Sequence, residues 1–184
     1  MKVNSYYRIM GVDPSSQFVG LSIIDVDFID NLVTVRHSET IKGSQCLSKR
    51  KDLLDYHPNR FVRLNGYRDY FTQIINRWQP HNVACEAAYM GRFPAAYQAL
   101  VECITTLQLV VYDYNPTLSF STYDPPTVKK AVGASGKSKD KEDIFKALSA
   151  LPLIYDGVVL ENLDEHACDS LAVALTEYRN ILNN

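Results

Sequence analysis

Short apolar runs fill the first part of the chain, and amphipathic spacing dominates the rest. Apolar runs bounded by turn residues predict strands, whereas apolar positions three and four apart predict helices. The predicted strands are 7–12, 18–26, 32–37, 81–86 and 119–123, and the predicted helices are 67–78, 94–111, one opening at Pro125, 139–150 and 164–181. Three successive strands followed by alternating helices and strands are typical of one α/β domain, which we expect to span residues 1–184.

The connections between the first elements differ in character. The turn at residues 13–16 combines proline and serine with an aspartate that can bond to its own backbone. It therefore predicts a tight hairpin between the first two strands. The segment 41–63 is polar, and we expect a mobile loop with a short helix there. Its basic residues are Lys42, Lys49, Arg50, Lys51, Arg60 and Arg63.

The composition places the chain among globular proteins. Of 184 residues, 46% are hydrophobic and 22% are charged, which excludes a disordered chain. The formal net charge of -2 argues mildly against a nucleic-acid binder, so local charge has to decide that point. The sequence shows neither a secretory leader nor a long apolar run, and we expect no membrane partner.

The cysteine pattern bears on metal binding and on compartment. The chain has four cysteines without a C-x-x-C pair, so a structural zinc site is not expected. Their apolar surroundings predict buried, reduced thiols. Reduced thiols indicate a cytoplasmic protein, or one in the host cytoplasm if the source is viral. The four are Cys46, Cys85, Cys103 and Cys168.

Three carboxylates stand on separate predicted elements. Asp13 closes the first strand, Glu86 closes the apolar fourth strand, and Asp169 lies early in the last helix. His166 shares the helix face of Asp169, and Glu165 could share it too. Carboxylates gathered at one sheet edge repel one another unless divalent cations bind there, and oxygen ligands suit Mg²⁺ or Mn²⁺. Two such ions can activate water and stabilise the leaving oxygen of a phosphodiester.

Each of these residues also has an ordinary structural explanation. Asp13 is a typical turn former, and Glu86 a typical strand-end charge. His166 would commonly be a surface side chain, and Asp169 a favourable charge near a helix N-terminus. The catalytic interpretation depends on their co-occurrence, in this order and on these elements.

Four stretches resemble motifs of the RuvC-type Holliday junction resolvases, in the order of that family. GVDPSSQFVGLSIID is similar to the opening G-I-D-P-G-S-x-x-T-G motif, and ACEAAYM to the I-E-x-x-F segment. YDPPTVKKAVGASGKSKDKEDI resembles P-x-x-V-K-x-x-V-x-G-x-G-x-A-x-K, and HACDSLAVAL resembles D-A-A-D-A-L-A-I-A. The resemblance as a whole runs from about residue 7 to residue 180.

The resemblance implies an RNase H-like α/β fold of the retroviral integrase superfamily. Its five-stranded mixed sheet has three antiparallel strands and then parallel ones, with helices on both faces. It implies that Asp13, Glu86, His166 and Asp169 are catalytic and hold two Mg²⁺ ions, for which Mn²⁺ can substitute. It further implies a homodimer that resolves four-way DNA junctions by paired symmetric nicks, leaving 5′-phosphate and 3′-hydroxyl ends.

The chain departs from the family pattern in several places. Ser15 replaces the first glycine after Asp-Pro, which changes the turn slightly. His166 replaces the third family acid, as in some RuvC-like enzymes, and a neutral imidazole lowers the negative charge of the site. The glycine-rich lysine loop carries extra residues, so its lysines align in more than one way. The loop after the third strand is longer than in bacterial members.

A basic stretch offsets the slightly acidic whole. Between Lys129 and Lys146, six lysines stand against three acids, and lysines there could lie along a phosphate backbone. An ordinary solvated helix face explains them as well. Tyr89 matches the family's aromatic position after the glutamate, where a ring would stack on an unpaired base, or it is a core tyrosine. The expected DNA contacts are Tyr89, Arg92, Lys129, Lys137, Lys139 and Lys141.

The long helix from Pro94 is the expected dimer surface. Its apolar residues are Tyr97, Leu100, Val101, Ile104 and Leu107. Packing inside one protomer explains the same residues, so both interpretations stay open. A two-fold symmetric dimer matches a two-fold symmetric junction.

Three other functions compete with junction resolution. A broader branched-DNA or flap endonuclease of the same fold would use the same acids. An actin-like or sugar-kinase phosphotransferase shares the G-x-D hairpin, but it needs a second such domain and further glycine-rich loops. A non-catalytic junction-binding protein would have no need of all three carboxylates.

Overall fold

The computed structural model describes residues 6–135 and 142–183. The strands are β1 (Tyr7–Asp13), β2 (Phe18–Asp27), β3 (Leu32–Lys42), β4 (Asn82–Glu86), β5 (Ser119–Tyr123) and β6 (Ile154–Tyr155). The helices are α1 (Gly43–Ser48), α2 (Asn59–Trp78), α3 (Pro94–Tyr114), α4 (Pro125–Val132), α5 (Glu142–Ser149) and α6 (Glu165–Leu182). Short 3-10 helices cover Lys51–Asp55 and Leu160–Asn162.

One mixed sheet organises these elements, in the order β5-β4-β1-β2-β3-β6. β1, β2 and β3 are antiparallel neighbours, whereas β4 runs parallel to β1 and β5 runs parallel to β4. The predicted mixed α/β fold is confirmed, but the sheet has six strands rather than five. β6 pairs parallel to β3 through only two residues, too few to carry a periodic pattern.

The segment 41–63 contains the predicted short helix, α1, but most of the predicted loop around it is regular structure. β3 continues through Ile41, which is buried and pairs with Val19. α1 then packs on α2, which starts at Asn59 rather than near Tyr67. The physical reason is that Val62 is fully buried and continues the apolar face of α2 toward its N-terminus.

Strand alternation divides the interior into two cores. Met10 and Val12 point into the core beneath α2 and α3, whereas Ile9 and Ala84 point into the core beneath α4, α5 and α6. The four cysteines are free and buried, as predicted. α6 has ten buried residues and crosses the face of β1 and β2.

α3 is the one helix within residues 6–135 and 142–183 that is long and apolar enough to cross a bilayer by length and composition. Core helices of water-soluble proteins pass the same test, so the finding is weak evidence for a membrane span. One side of α3 packs on the sheet through residues such as Cys103, Leu107 and Val111. The opposite, exposed side of α3 carries apolar residues as well.

Candidate active site

Asp13 and Glu86 leave the sheet side by side. Val12 faces Cys85 across the parallel pair of β1 and β4, and the next residues are Asp13 and Glu86. Neighbouring strands are about 4.8 Å apart. Both carboxylates share the face of Gly11 and Ala84, because alternate residues of a strand point the same way. The strand ends therefore place two acids beneath the start of α6.

α6 adds the third acid and the histidine. His166 Nδ1 lies 2.8 Å from the Oδ2 atom of Asp13, so the two side chains are hydrogen-bonded. Asp169 follows three residues later on the same helix face. The helix begins here because Asp164 accepts a hydrogen bond from the backbone N–H of Ala167 at 3.0 Å. The structure thus brings together the four residues that the sequence singled out.

Buried hydroxyls hold the start of α6 on the sheet. Ser22 Oγ lies 2.7 Å from Ser170 Oγ and 2.8 Å from Ser38 Oγ. All three hydroxyl oxygens lie 2.8 to 3.3 Å from the carbonyl oxygen of Ala167. Ala167 sits between His166 and Asp169 in the sequence, so these contacts fix the height of both side chains above the sheet.

The two most perturbed acids are Glu86 and Asp169. Burial and the negative charges of Asp13 and Asp169 raise the pKa of Glu86 to about 8. Burial and the charges of Asp13 and Glu165 raise the pKa of Asp169 to about 7. The charge of Asp13 thus raises the proton affinity of both carboxyls through Coulomb repulsion. Acids from three elements therefore form one electrostatically coupled site, in which the nearby positive charge of Lys129 offsets only part of the burial and repulsion.

Asp13 and His166 form the half of the site in which a partner side chain opposes the effect of burial on the carboxyl pKa. Burial raises the pKa of Asp13, although the hydrogen bond from His166 partly opposes this effect. The same hydrogen bond raises the pKa of His166. The carboxylate partner thus strengthens the hold of the imidazole on its second proton.

Two other charged residues act on the site. The sequence analysis gave the first, Lys129, another role, and it did not include the second. Lys129 of α4 lowers the pKa of both Glu86 and Asp169, so it stands beside the acids rather than on a remote solvated face. Asp124 was missed, although its charge raises the pKa of Glu86. Its position directly before Pro125, where α4 begins at the end of β5, was the available signal.

Comparison with known proteins decides the family. The family model described as crossover junction endodeoxyribonuclease RuvC matches residues 9–177. This protein belongs to the RuvC family. A RuvC of Myxococcus xanthus is 33% identical over 168 residues, which cover 91% of this chain and 78% of that protein. A RuvC of Orientia tsutsugamushi (strain Boryong) is 27% identical over 91% of this chain and 92% of that protein.

Solved structures show the same fold. Thermus thermophilus RuvC in complex with a Holliday junction substrate has a TM-score of 0.72 at 17% identity, over 96% of both chains. The yeast mitochondrial Holliday junction resolvase has a TM-score of 0.64 at 14% identity, over 96% of this chain and 83% of that chain. The fowlpox virus resolvase has a TM-score of 0.58 at 14% identity, over 95% of this chain and 99% of that chain. The RuvC-like architecture thus recurs across very different sequences.

The donor set of this RuvC-family site suits a hard divalent cation. Three carboxylates and an imidazole are oxygen and nitrogen ligands of the kind that Mg²⁺ and Mn²⁺ accept. As the side chains stand, no three His, Cys, Asp or Glu side chains within residues 6–135 and 142–183 are grouped closely enough to hold an ion. His166 bonds Asp13 instead. The residues fit a cation by chemistry, and side-chain rotation would have to complete the ligand set.

The expected DNA contacts fall into three groups in this RuvC-family chain. Tyr89 is 71% exposed, and Arg92 is exposed too, on the segment between β4 and α3. The alternative of a core tyrosine is therefore wrong. Lys129 lies beside the acids, close to Glu86 and Asp169. The remaining predictions, Lys137, Lys139 and Lys141, lie outside the described residues.

The predicted dimer surface on α3 needs correction. Ile104 and Leu107 are buried in the core beneath α2 and α3, so they cannot contact a partner. Both faces of α3 carry apolar residues, so the spacing of apolar positions could not tell which face lies inward. The outward face presents Val101, which belongs to the predicted set, together with Thr105, Leu109 and Tyr112.

Proposed function

We propose that this chain is a single-domain, structure-selective DNA endonuclease that resolves four-way junctions by paired symmetric nicks. The observation that carries the proposal is the convergence of Asp13, Glu86 and Asp169, where the charge of Asp13 raises the pKa of both other acids and the charge of Asp169 raises that of Glu86. Membership of the RuvC family supports the reaction, since its relatives are named crossover junction endodeoxyribonucleases. All three acids would be superfluous in a protein that only binds junctions.

Asp13, Glu86, His166 and Asp169 would hold two Mg²⁺ ions, with Mn²⁺ as a substitute. Bound there, the ions would supply an activated water and charge neutralisation for in-line displacement at phosphorus. Lys129 stands beside Glu86 and Asp169 and would contact the phosphate that approaches them. Glu86 must lose its proton to act as a ligand, because its pKa is raised to about 8.

DNA would approach along the segment between β4 and α3. Exposed Tyr89 would stack on a base that the junction leaves unpaired, and exposed Arg92 would contact phosphate. Thermus RuvC and the fowlpox virus resolvase have each been solved with Holliday junction DNA. Branched DNA is accordingly the proposed substrate class, and the buried free thiols favour a reducing, cytoplasmic compartment.

A homodimer would supply the two nicks. The outward face of α3 carries Val101, Leu109 and Tyr112, and Phe61 of α2 extends it. A shallow apolar groove between α2 and α3 runs beside this face, lined by residues such as Phe61, Leu64 and Leu109. Exposed apolar surface of this kind marks an interaction site, and a second copy would match the symmetry of the junction.

Cleavage of labelled branched DNA tests the proposal. A mobile four-way junction, a flap and a Y-structure are each incubated with protein in Mg²⁺, Mn²⁺ or chelator. Paired nicks in opposed strands of the junction alone, absent in chelator and in Glu86→Gln, are expected. Equal cutting of flaps would assign the broader branched-DNA nuclease, and junction binding with Asp13→Asn as active as the parent would overturn the catalytic assignment.

A further inference from the structure

Phe18 stacks on the His166 side chain, and neither the family pattern nor the proposed chemistry explains this contact. The two ring centroids lie 5.6 Å apart, and the ring planes differ by 13°. This is an offset parallel contact of the kind that aromatic pairs favour. Phe18 remains 44% exposed, so burial in the core does not account for its placement.

We infer that Phe18 is a positioning residue whose ring holds the His166 imidazole in the plane that directs Nδ1 toward Asp13. The inference rests on the proposed function, in which Asp13 and His166 share a cation. A flat ring packed parallel to the imidazole opposes rotation about its Cβ–Cγ bond, because rotation would drive the imidazole edge into the phenyl face.

The backbone of Phe18 is well placed for this task. Phe18 opens β2 and pairs with Lys42 at the end of β3. The adjacent carbonyl of Gln17 accepts a hydrogen bond from the backbone N–H of Gly43 at 2.7 Å. The phenyl ring therefore projects from a strand end that is fixed on both sides, and it is preorganised before any ligand arrives.

The contacts that hold α6 do not hold the imidazole itself. The serine hydroxyls fix the backbone at Ala167, and they leave the side-chain torsions of His166 free. The hydrogen bond to Asp13 restrains the ring only while the Asp13 oxygen has no other partner. Once Asp13 takes up a ligand role, the Phe18 face is the contact that still defines the ring plane.

Nuclear magnetic resonance of the metal-free protein tests the geometry directly. The chain has four histidines, so the Cε1–Hε1 signal of His166 is assigned by its loss in His166→Gln. Ring current from Phe18 should shift this signal upfield in the parent and in Phe18→Tyr. The shift should disappear in Phe18→Leu, which keeps apolar volume and lacks a ring.

The dependence of cleavage on Mg²⁺ concentration tests whether Phe18 supports cation binding. We measure the Mg²⁺ concentration for half-maximal junction cleavage, and separately the Mg²⁺ titration of the same resonances without DNA. Phe18→Leu and Phe18→Ala should each raise the half-saturating Mg²⁺ concentration by about threefold to tenfold, the range expected for loss of one aromatic pair. Phe18→Tyr should restore the parent value, and junction affinity in chelator should stay unchanged in all three.

The outcomes separate this inference from the proposed function. If Glu86→Gln still cleaves, the proposed function fails whatever Phe18 does. If Glu86→Gln is inactive but Phe18→Leu keeps the parent's Mg²⁺ dependence, only the positioning role is overturned. Weaker junction binding in chelator with unchanged Mg²⁺ dependence would make Phe18 a DNA contact instead. In a His166→Ala background, Phe18→Ala should have no further effect on Mg²⁺ dependence, since coupled residues are not additive.

Discussion

Gly20 and His166 pack so closely that a β-carbon on Gly20 would lie 1.9 Å from the carbonyl oxygen of His166. The start of α6 rests directly on β2 at this point. Any side chain at residue 20 must push His166 and Asp169 away from the strand ends that carry Asp13 and Glu86.

Gly20→Ala should therefore disable the nuclease more than it destabilises the fold. Overpacking should lower the free energy of unfolding by about 1–3 kcal/mol. Displacement of the catalytic geometry by about 1 Å should cut junction cleavage by about 100-fold. Chemical denaturation and single-turnover cleavage measure the two effects separately.

Two other glycines serve as controls for that substitution. Gly91→Ala should change stability little, because nothing lies within 4 Å of a β-carbon there. Gly11→Ala should destabilise as Gly20→Ala does, since its β-carbon would lie 2.3 Å from the carbonyl oxygen of Ser170. Parent-like cleavage by folded Gly20→Ala would show that the height of α6 does not matter.

Glu86→Gln should stabilise the metal-free protein at alkaline pH. The pKa of Glu86 is raised from 4.5 to about 8, so its contribution to stability declines as pH rises through that window. Glutamine removes the charge, and the free energy of unfolding at pH 9 should rise by about 2 kcal/mol after allowance for solvent screening. Denaturation in chelator at pH 4.5 and pH 9 should show the gain only at pH 9; a gain of equal size at both would contradict the electrostatic cause.

Cation binding should release protons near neutral pH. The pKa of Asp169 is raised to about 7 and that of Glu86 to about 8, so both carboxyls are partly protonated at pH 7. Ligation requires their ionised forms, and Mg²⁺ affinity should therefore rise between about pH 6 and pH 8. Calorimetry in two buffers of different ionisation enthalpy counts the protons, and buffer-independent heats would rule out this linkage.

Leu109→Glu should convert the proposed dimer to monomer. Leu109 is 56% exposed on the outward face of α3, and a charge there should weaken self-association at least about tenfold. Ile29→Glu is the matched control, because Ile29 is 81% exposed at the turn between β2 and β3. Sedimentation equilibrium of both variants decides the point, and a dimeric Leu109→Glu would place the interface elsewhere.

Arg92→Ala and Tyr89→Ala should both weaken junction binding, but with a different dependence on salt concentration. Arg92→Ala should lower the slope of log affinity against log salt by about one, since one phosphate contact disappears. Tyr89→Ala should weaken junction binding by about 1–3 kcal/mol without changing that slope, because stacking is uncharged. Fluorescence anisotropy across a salt series in chelator separates the two, and equal slopes would remove the phosphate role of Arg92.

The sequence placed Asp13 and Glu86 correctly at strand ends, because strand ends are strongly signalled. Asp13 precedes a proline turn and Glu86 ends an apolar run, and parallel neighbours bring such ends to one edge. The boundaries failed where polar residues lie inside regular structure. β3 continues past His37 through polar, half-buried residues without alternation, so the strand was ended at His37 and Ile41 was assigned to a loop.

Contacts between distant side chains were beyond the reach of the sequence. The Phe18–His166 stack joins residues far apart in the chain, and no local pattern encodes it. Likewise Ile104 and Leu107 could not be assigned to the inside of α3, since its outside is apolar too. Tertiary packing decides which of two similar faces is covered.

The order of the active-site parts along the chain has a consequence for biosynthesis. Asp13 and Glu86 leave the ribosome early, whereas His166 and Asp169 arrive with α6, the last helix described. A nascent chain folds from its N-terminus, so it presents two of the three acids long before α6 can dock with the third acid and the histidine. A partly translated nuclease without α6 would thus be unable to cut nearby DNA, because it lacks His166 and Asp169.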